Sequence, residues 1–85
     1  MEKSIHTREY TAFLHLLRRT REEAGLTQVG LAEALDSTQS FVSKVERGET
    51  RLDLIQLRTV LTAIGVSLPD FSSRLEKELR KKERG

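Results

Sequence analysis

The chain has no cysteine, one proline and few aromatic residues, three phenylalanines and one tyrosine among 85 residues. Without cysteine it can form no disulfide and has no thiol nucleophile, so a small fold must rest on its core or on a partner subunit. That core is thin: 36% of residues are apolar and 5% aromatic, near the lower limit for an independent domain. One domain is the most such a length supports. No apolar run approaches the roughly 18 residues of a membrane span. The start Met-Glu-Lys-Ser-Ile-His lacks the layout of a signal peptide, so a soluble, cytoplasmic protein is expected. Neither charge sign dominates: 15 basic against 13 acidic residues leave +2, too mild a bias to identify a partner.

Catalytic and cofactor signatures are also missing. His6 and His15 stand nine apart with no cysteine nearby, which fits no common zinc spacing. There is no His-with-carboxylate cluster, no P-loop and no glycine-rich dinucleotide turn. The expectation is no metal, no cofactor and no enzyme.

What is present is helical spacing between punctuating residues Gly25, Gly48, Gly65 and Pro69. It predicts an all-α fold of five helices. The first spans about residues 8–24, with Tyr10, Phe13, Leu14, Leu17 and Ala24 on one stripe. Thr27 caps a short second helix, with Leu31, Ala32 and Leu35 inward, and Thr38 caps a third from Gln39 to about Glu46. Asp53 caps a fourth with the repeat Leu54, Leu57, Leu61 and Ile64, and Ser67 starts a fifth with the seam Leu68, Phe71, Leu75 and Leu79. The predicted organisation is a flexible N-terminal extension (1–7), one domain (8–80) and a fraying tail (81–85). Arg18 and Arg19 fall at helical spacing from Glu22 and Glu23, which predicts pairing within the first helix.

The third helix divides into two faces at 100 degrees per residue. Val42 and Val45 fall together with Phe41 on their flank, while Gln39, Ser40, Ser43, Lys44 and Arg47 share the other side. Amide, hydroxyl and cationic groups on one short helix match the donors and acceptors of base edges in a major groove. Gln39 suits adenine and Lys44 suits guanine. Solvent exposure alone also produces a polar face, so this helix does not decide the matter.

From Leu17 to Phe71 the chain resembles the Cro/repressor type of helix-turn-helix regulator, the XRE family. The resemblance is carried by Arg21, Gly25-Leu26-Thr27-Gln28, Leu31-Ala32, Gln39-Ser40-Phe41-Val42-Ser43-Lys44-Val45-Glu46, Gly48 and Gly65-Val66-Ser67. It implies a lambda-repressor-like bundle that docks helix three into the major groove of double-stranded DNA. Base contacts are then expected from Gln39, Ser40, Ser43 and Lys44, and phosphate contacts from Gln28, Arg47, Thr50 and Arg51. The resemblance also implies that Gln28 buttresses Gln39, and that Arg21 pairs with Glu46. Arg21 lies on an apolar stripe, where an unpaired charge is costly, so it needs a partner. Surface charge alone accounts nearly as well for Arg51.

Charge counting is no guide to this interface, since residues 27–51 hold three basic and four acidic groups. Two positions depart from the family pattern: Asp36 stands where glycine is usual in the turn, and Gly30 replaces a polar residue in helix two. Phe71, Leu75 and Leu79 form a seam that either packs on helix one at Tyr10 or Phe13 or meets a second copy. A homodimer would bind a palindromic operator. The leading expectation is therefore a sequence-specific transcriptional repressor. Alternatives are a DNA-binding antitoxin with a toxin partner, a restriction-modification controller, and a protein-interaction module that does not bind DNA.

Overall fold

The computed structural model describes residues 7–84 of the chain, with five helices and no strand among them. They are α1 (Arg8–Glu23), α2 (Gln28–Ala34), α3 (Gln39–Glu46), α4 (Leu54–Ile64) and α5 (Leu68–Arg84). Residues 1–6 of the expected N-terminal extension lie outside the described residues, and Thr7 is the N-cap of α1.

Each helix starts on a side chain that accepts a backbone N–H two or three residues into the first turn. Thr7 accepts from Tyr10, Thr27 from Gly30, Thr38 from Phe41 and Ser67 from Asp70, at 2.9 to 3.2 Å. Asp53 accepts from Gln56 N at 2.7 Å while the Gln56 side chain accepts from Asp53 N at 2.9 Å, a reciprocal capping box. Each such cap is worth about 0.5–2 kcal/mol.

The ends are equally uniform. Four helices close on a residue with positive φ, flanked by the same pair of backbone bonds: Gly25 (79°), Asp36 (56°), Gly48 (81°) and Gly65 (97°). In the second turn Ser37 N donates to Ala32 O at 2.8 Å and Asp36 N to Glu33 O at 3.1 Å. This is the Schellman arrangement, which consumes the last free carbonyls of the helix. Asp36 is the one non-glycine residue with positive φ among the described residues.

Leu16, Leu17, Leu31, Ala32, Val42, Val45, Val60, Leu61, Ile64 and Phe71 form the core. Ala32 is 3% exposed in α2, which packs most extensively on α3, and its small side chain permits that approach. Several inward positions differ from the periodic expectation. Ala12 and Leu16 are buried in α1, whereas Ala24 is exposed as its C-cap. In α4, Leu54 is 64% exposed and Val60 occupies the core, because α4 meets the bundle only from Leu57 onward.

α5 runs to Arg84 and so includes four residues of the stretch expected to fray. Lys81, Lys82, Glu83 and Arg84 are good helix formers, and Arg80 pairs with Glu76 one turn earlier at 3.1 Å. The α1 charges also find other partners than local spacing predicts. Arg18 pairs with Glu22 at 3.2 Å, but Arg19 reaches Glu78 at 3.4 Å and Glu23 meets Arg74 at 3.3 Å. Both cross-pairs link α1 to α5. They are part-exposed and worth little individually, so they fix orientation more than stability.

Phe71 is 1% exposed and meets Phe13 edge-on, with centroids 5.9 Å apart. Of the two alternatives for the Phe71, Leu75 and Leu79 seam, Phe71 follows the first: its ring packs on helix one at Phe13 and is part of the core. Leu75 and Leu79 remain half-buried at the edge of α5.

Candidate nucleic-acid interface

α2 and α3 are separated by the four residues Leu35–Thr38, and the Asp36 turn sets their crossing. Val42 and Val45 anchor α3 to the core at 2% and 4% exposure. That anchoring turns Gln39, Ser40, Lys44 and Arg47 outward, with Ser43 half-buried beside them.

Behind this face runs a continuous chain of polar contacts. The Arg21 guanidinium grips Glu46 with two bonds, Nε to Oε2 at 2.6 Å and Nη2 to Oε1 at 3.1 Å. Their side chains are 7% and 6% exposed. Arg21 Nη1 also donates to the Leu26 carbonyl at 2.7 Å, which ties down the α1–α2 turn. Gln28 Nε2 donates to Glu46 Oε1 at 3.0 Å, and Gln39 Nε2 donates to Gln28 Oε1 at 2.7 Å. Removing one partner of a buried charge pair costs about 3–5 kcal/mol, so this network is anchored where loss is expensive.

The consequence for Gln39 is orientation. Its amide nitrogen spends one hydrogen on Gln28 and keeps another, beside a carbonyl oxygen that accepts no hydrogen bond from the described residues. Adenine presents the complementary acceptor and donor in the major groove. Gln28, by contrast, uses both ends of its amide internally and keeps one amide hydrogen.

The remaining cations are placed differently. Arg47 donates from Nε and Nη2 to the Glu49 carboxylate at 2.9 and 3.2 Å, and from Nη1 to Ser43 Oγ. Hydrogen bonding first, and charge second, raise the Arg47 guanidinium above its ordinary range and hold the Glu49 carboxyl below its own. Lys44 adds a smaller pull on Glu49 in the same direction. Arg51 lies with its guanidinium 4.2 Å from the centre of the Tyr10 ring. Thr50 is half-buried, with its N–H on the Lys44 carbonyl at 3.3 Å.

Glu49 escaped the sequence reading altogether. The signal was available as an acidic residue two places after Arg47, but such spacing pairs side chains only when the chain turns sharply, as it does at Gly48. Among the described residues no group of three or more His, Cys, Asp or Glu could hold a metal, and no helix is long and apolar enough to cross a membrane. His15 is exposed on α1, and His6 lies outside the described residues.

Two short helices joined by a tight turn, the second anchored by its apolar back and polar on its outer face, constitute a helix-turn-helix motif. Comparison with known proteins gives the same class. A family model described as helix-turn-helix matches residues 17–71. The chain is 40% identical over 57 residues to the HTH-type transcriptional regulator PrpR of Mycobacterium tuberculosis, covering 67% of this chain and 12% of that protein. It is 27% identical over 63 residues to the control protein C.MunI of a Mycoplasma species, covering 74% of this chain and 85% of that one.

Among solved structures, an XRE-family like protein from Pseudomonas syringae pv. tomato superposes with a TM-score of 0.79 at 43% identity, covering 89% of this chain and 93% of that chain. A mutant of the restriction-modification controller protein C.Esp1396I superposes with a TM-score of 0.80 at 26% identity, covering 89% and 96%. The chain belongs to the helix-turn-helix family and is of the XRE type.

Proposed function

We propose that the protein is a sequence-specific repressor that binds a palindromic operator as a homodimer in the cytoplasm, without catalytic activity. The observation that carries this reading is the chain Arg21–Glu46–Gln28–Gln39, which holds a base-reading amide in a fixed orientation at the start of α3. Gln39, Ser40, Ser43 and Lys44 would face bases. Gln28, Arg47, Thr50 and Arg51 would meet phosphates, with Arg51 first leaving the Tyr10 ring and Arg47 first leaving Glu49.

The dimer is proposed through an open groove of about 480 Å³ at the meeting of α1, α4 and α5. Tyr10, Phe13, Leu54, Leu57, Leu75 and Leu79 line it. A second copy related by two-fold symmetry would cover this apolar lining and set two α3 helices one DNA turn apart, about 34–36 Å. Phe71, being buried, takes no part.

A restriction-modification controller is the second reading. It is favoured by similarity to two controller proteins that extends over 85% and 96% of their own lengths. Selection of bound sequences from random DNA tests both readings. An enriched palindrome contacted by α3 supports the first. Enrichment of sequence upstream of adjoining restriction and methylation genes selects the second. Absence of any salt-dependent enrichment would leave a protein-interaction module instead.

A further inference from the structure

Arg47 is already engaged within the free protein. Three of its five N–H donors are occupied, two by the Glu49 carboxylate and one by Ser43 Oγ. The clasp therefore engages one proposed phosphate contact and one proposed base contact together. Its position is set by the backbone: Gly48 turns the chain at φ 81°, and Glu49 N donates to the Lys44 carbonyl at 2.8 Å. The Glu49 backbone is thereby fixed at the C-terminal edge of α3. When Arg47 turns to a phosphate, Glu49 cannot retreat far from it.

We infer that Glu49 sets the DNA affinity and its salt dependence, by competing with a DNA phosphate for Arg47 and by holding Arg47 across the Ser43 hydroxyl. The inference rests on the DNA-binding reading and deepens it. Both side chains of the pair are 53% exposed, so the clasp is readily opened and acts as a tax on binding, not a lock. An arginine already neutralised by a carboxylate releases few counterions on meeting DNA. The same arginine, freed, adds one phosphate contact to the salt dependence. The tax falls on every DNA sequence, and only a site that also uses Ser43 recovers part of it through base contact. Glu49 is thus a residue that suppresses phosphate-driven association.

The test is a double-mutant cycle of Glu49→Gln and Arg47→Gln, with affinity for the selected operator measured between 50 and 200 mM salt. Circular dichroism and thermal melting check that each variant folds. Glu49→Gln is expected to tighten binding at 50 mM salt and to steepen the log–log salt slope by about 0.9, so that its advantage shrinks about 3.5-fold across this range. In the Arg47→Gln background the same change should leave the slope nearly unaltered. An equal change of slope in both backgrounds would show that Glu49 acts as a general negative charge and would overturn the clasp. An unchanged slope in Glu49→Gln, with the parent protein binding normally, overturns this inference alone. No salt-dependent binding by the parent protein overturns the DNA reading and this inference with it.

Discussion

Gln39 donates its side-chain amide to Gln28 Oε1 at 2.7 Å, and through Gln28 the first residue of α3 is joined to a carboxylate buried against α1. An exposed amide usually samples several rotamers, whereas this one is held in register by groups that cannot move without exposing or orphaning a charge. Orientation set before binding lowers the entropy lost on contact.

Coupling between Gln28 and Gln39 follows. Gln39→Ala should weaken operator binding by about 1–3 kcal/mol with little effect on random DNA. Gln28→Ala should lose part of that on its own and nearly nothing more in the Gln39→Ala background. Binding titrations of the two single variants and the double variant measure it; fully additive losses would separate the two residues.

The Arg21–Glu46 pair predicts stability. Arg21→Ala strands Glu46 beside the core and should destabilise the fold by about 3–5 kcal/mol in denaturant unfolding. Joint replacement of both residues by methionine and leucine should recover much of this loss, since two apolar groups leave no unpaired charge.

Asp36 predicts a stabilising change. It holds φ at 56°, where glycine pays no steric penalty and a β-branched residue pays most. Asp36→Gly should raise the unfolding free energy by up to about 1 kcal/mol, and Asp36→Val should lower it by at least as much. A drop on Asp36→Gly would mean that the aspartate side chain contributes more to the turn than its backbone costs.

The Glu49 carboxyl titrates below an ordinary glutamate because Arg47 bonds its ionised form. The pairing is therefore complete at neutral pH and is lost only as pH falls through that lowered midpoint. Carbon-13 NMR titration should show this directly, and Arg47→Gln should move the midpoint back up. An unmoved midpoint would assign the shift to other groups.

Leu54 predicts the oligomeric state. At 64% exposure it contributes little to the isolated fold, yet it lines the groove proposed for the second copy. Leu54→Lys should give a monomer in analytical ultracentrifugation with the melting of the monomer little changed. Parent protein that is monomeric at all working concentrations would remove the dimer.

Five helices, most of their boundaries and four of their caps could be read from residue order, because a capping oxygen or an apolar repeat acts across three or four residues of the same segment. Thr27, Thr38, Asp53 and Ser67 each needed only their own following turn. The two-faced character of α3 was equally local. Partnership between segments was not, apart from Arg21 with Glu46 and Gln28 with Gln39, which the family resemblance supplied. Arg19 had Glu23 one turn away but pairs with Glu78, because α5 passes that side of α1. Leu54 fits the α4 repeat but faces outward, because the bundle ends before it. For Phe71 the sequence left two surfaces open, helix one or a second copy, and the edge-on contact with Phe13 chose helix one. Residue order decided which surfaces exist. Only packing decided which of them are covered, since burial depends on the neighbour that arrives from elsewhere in the chain.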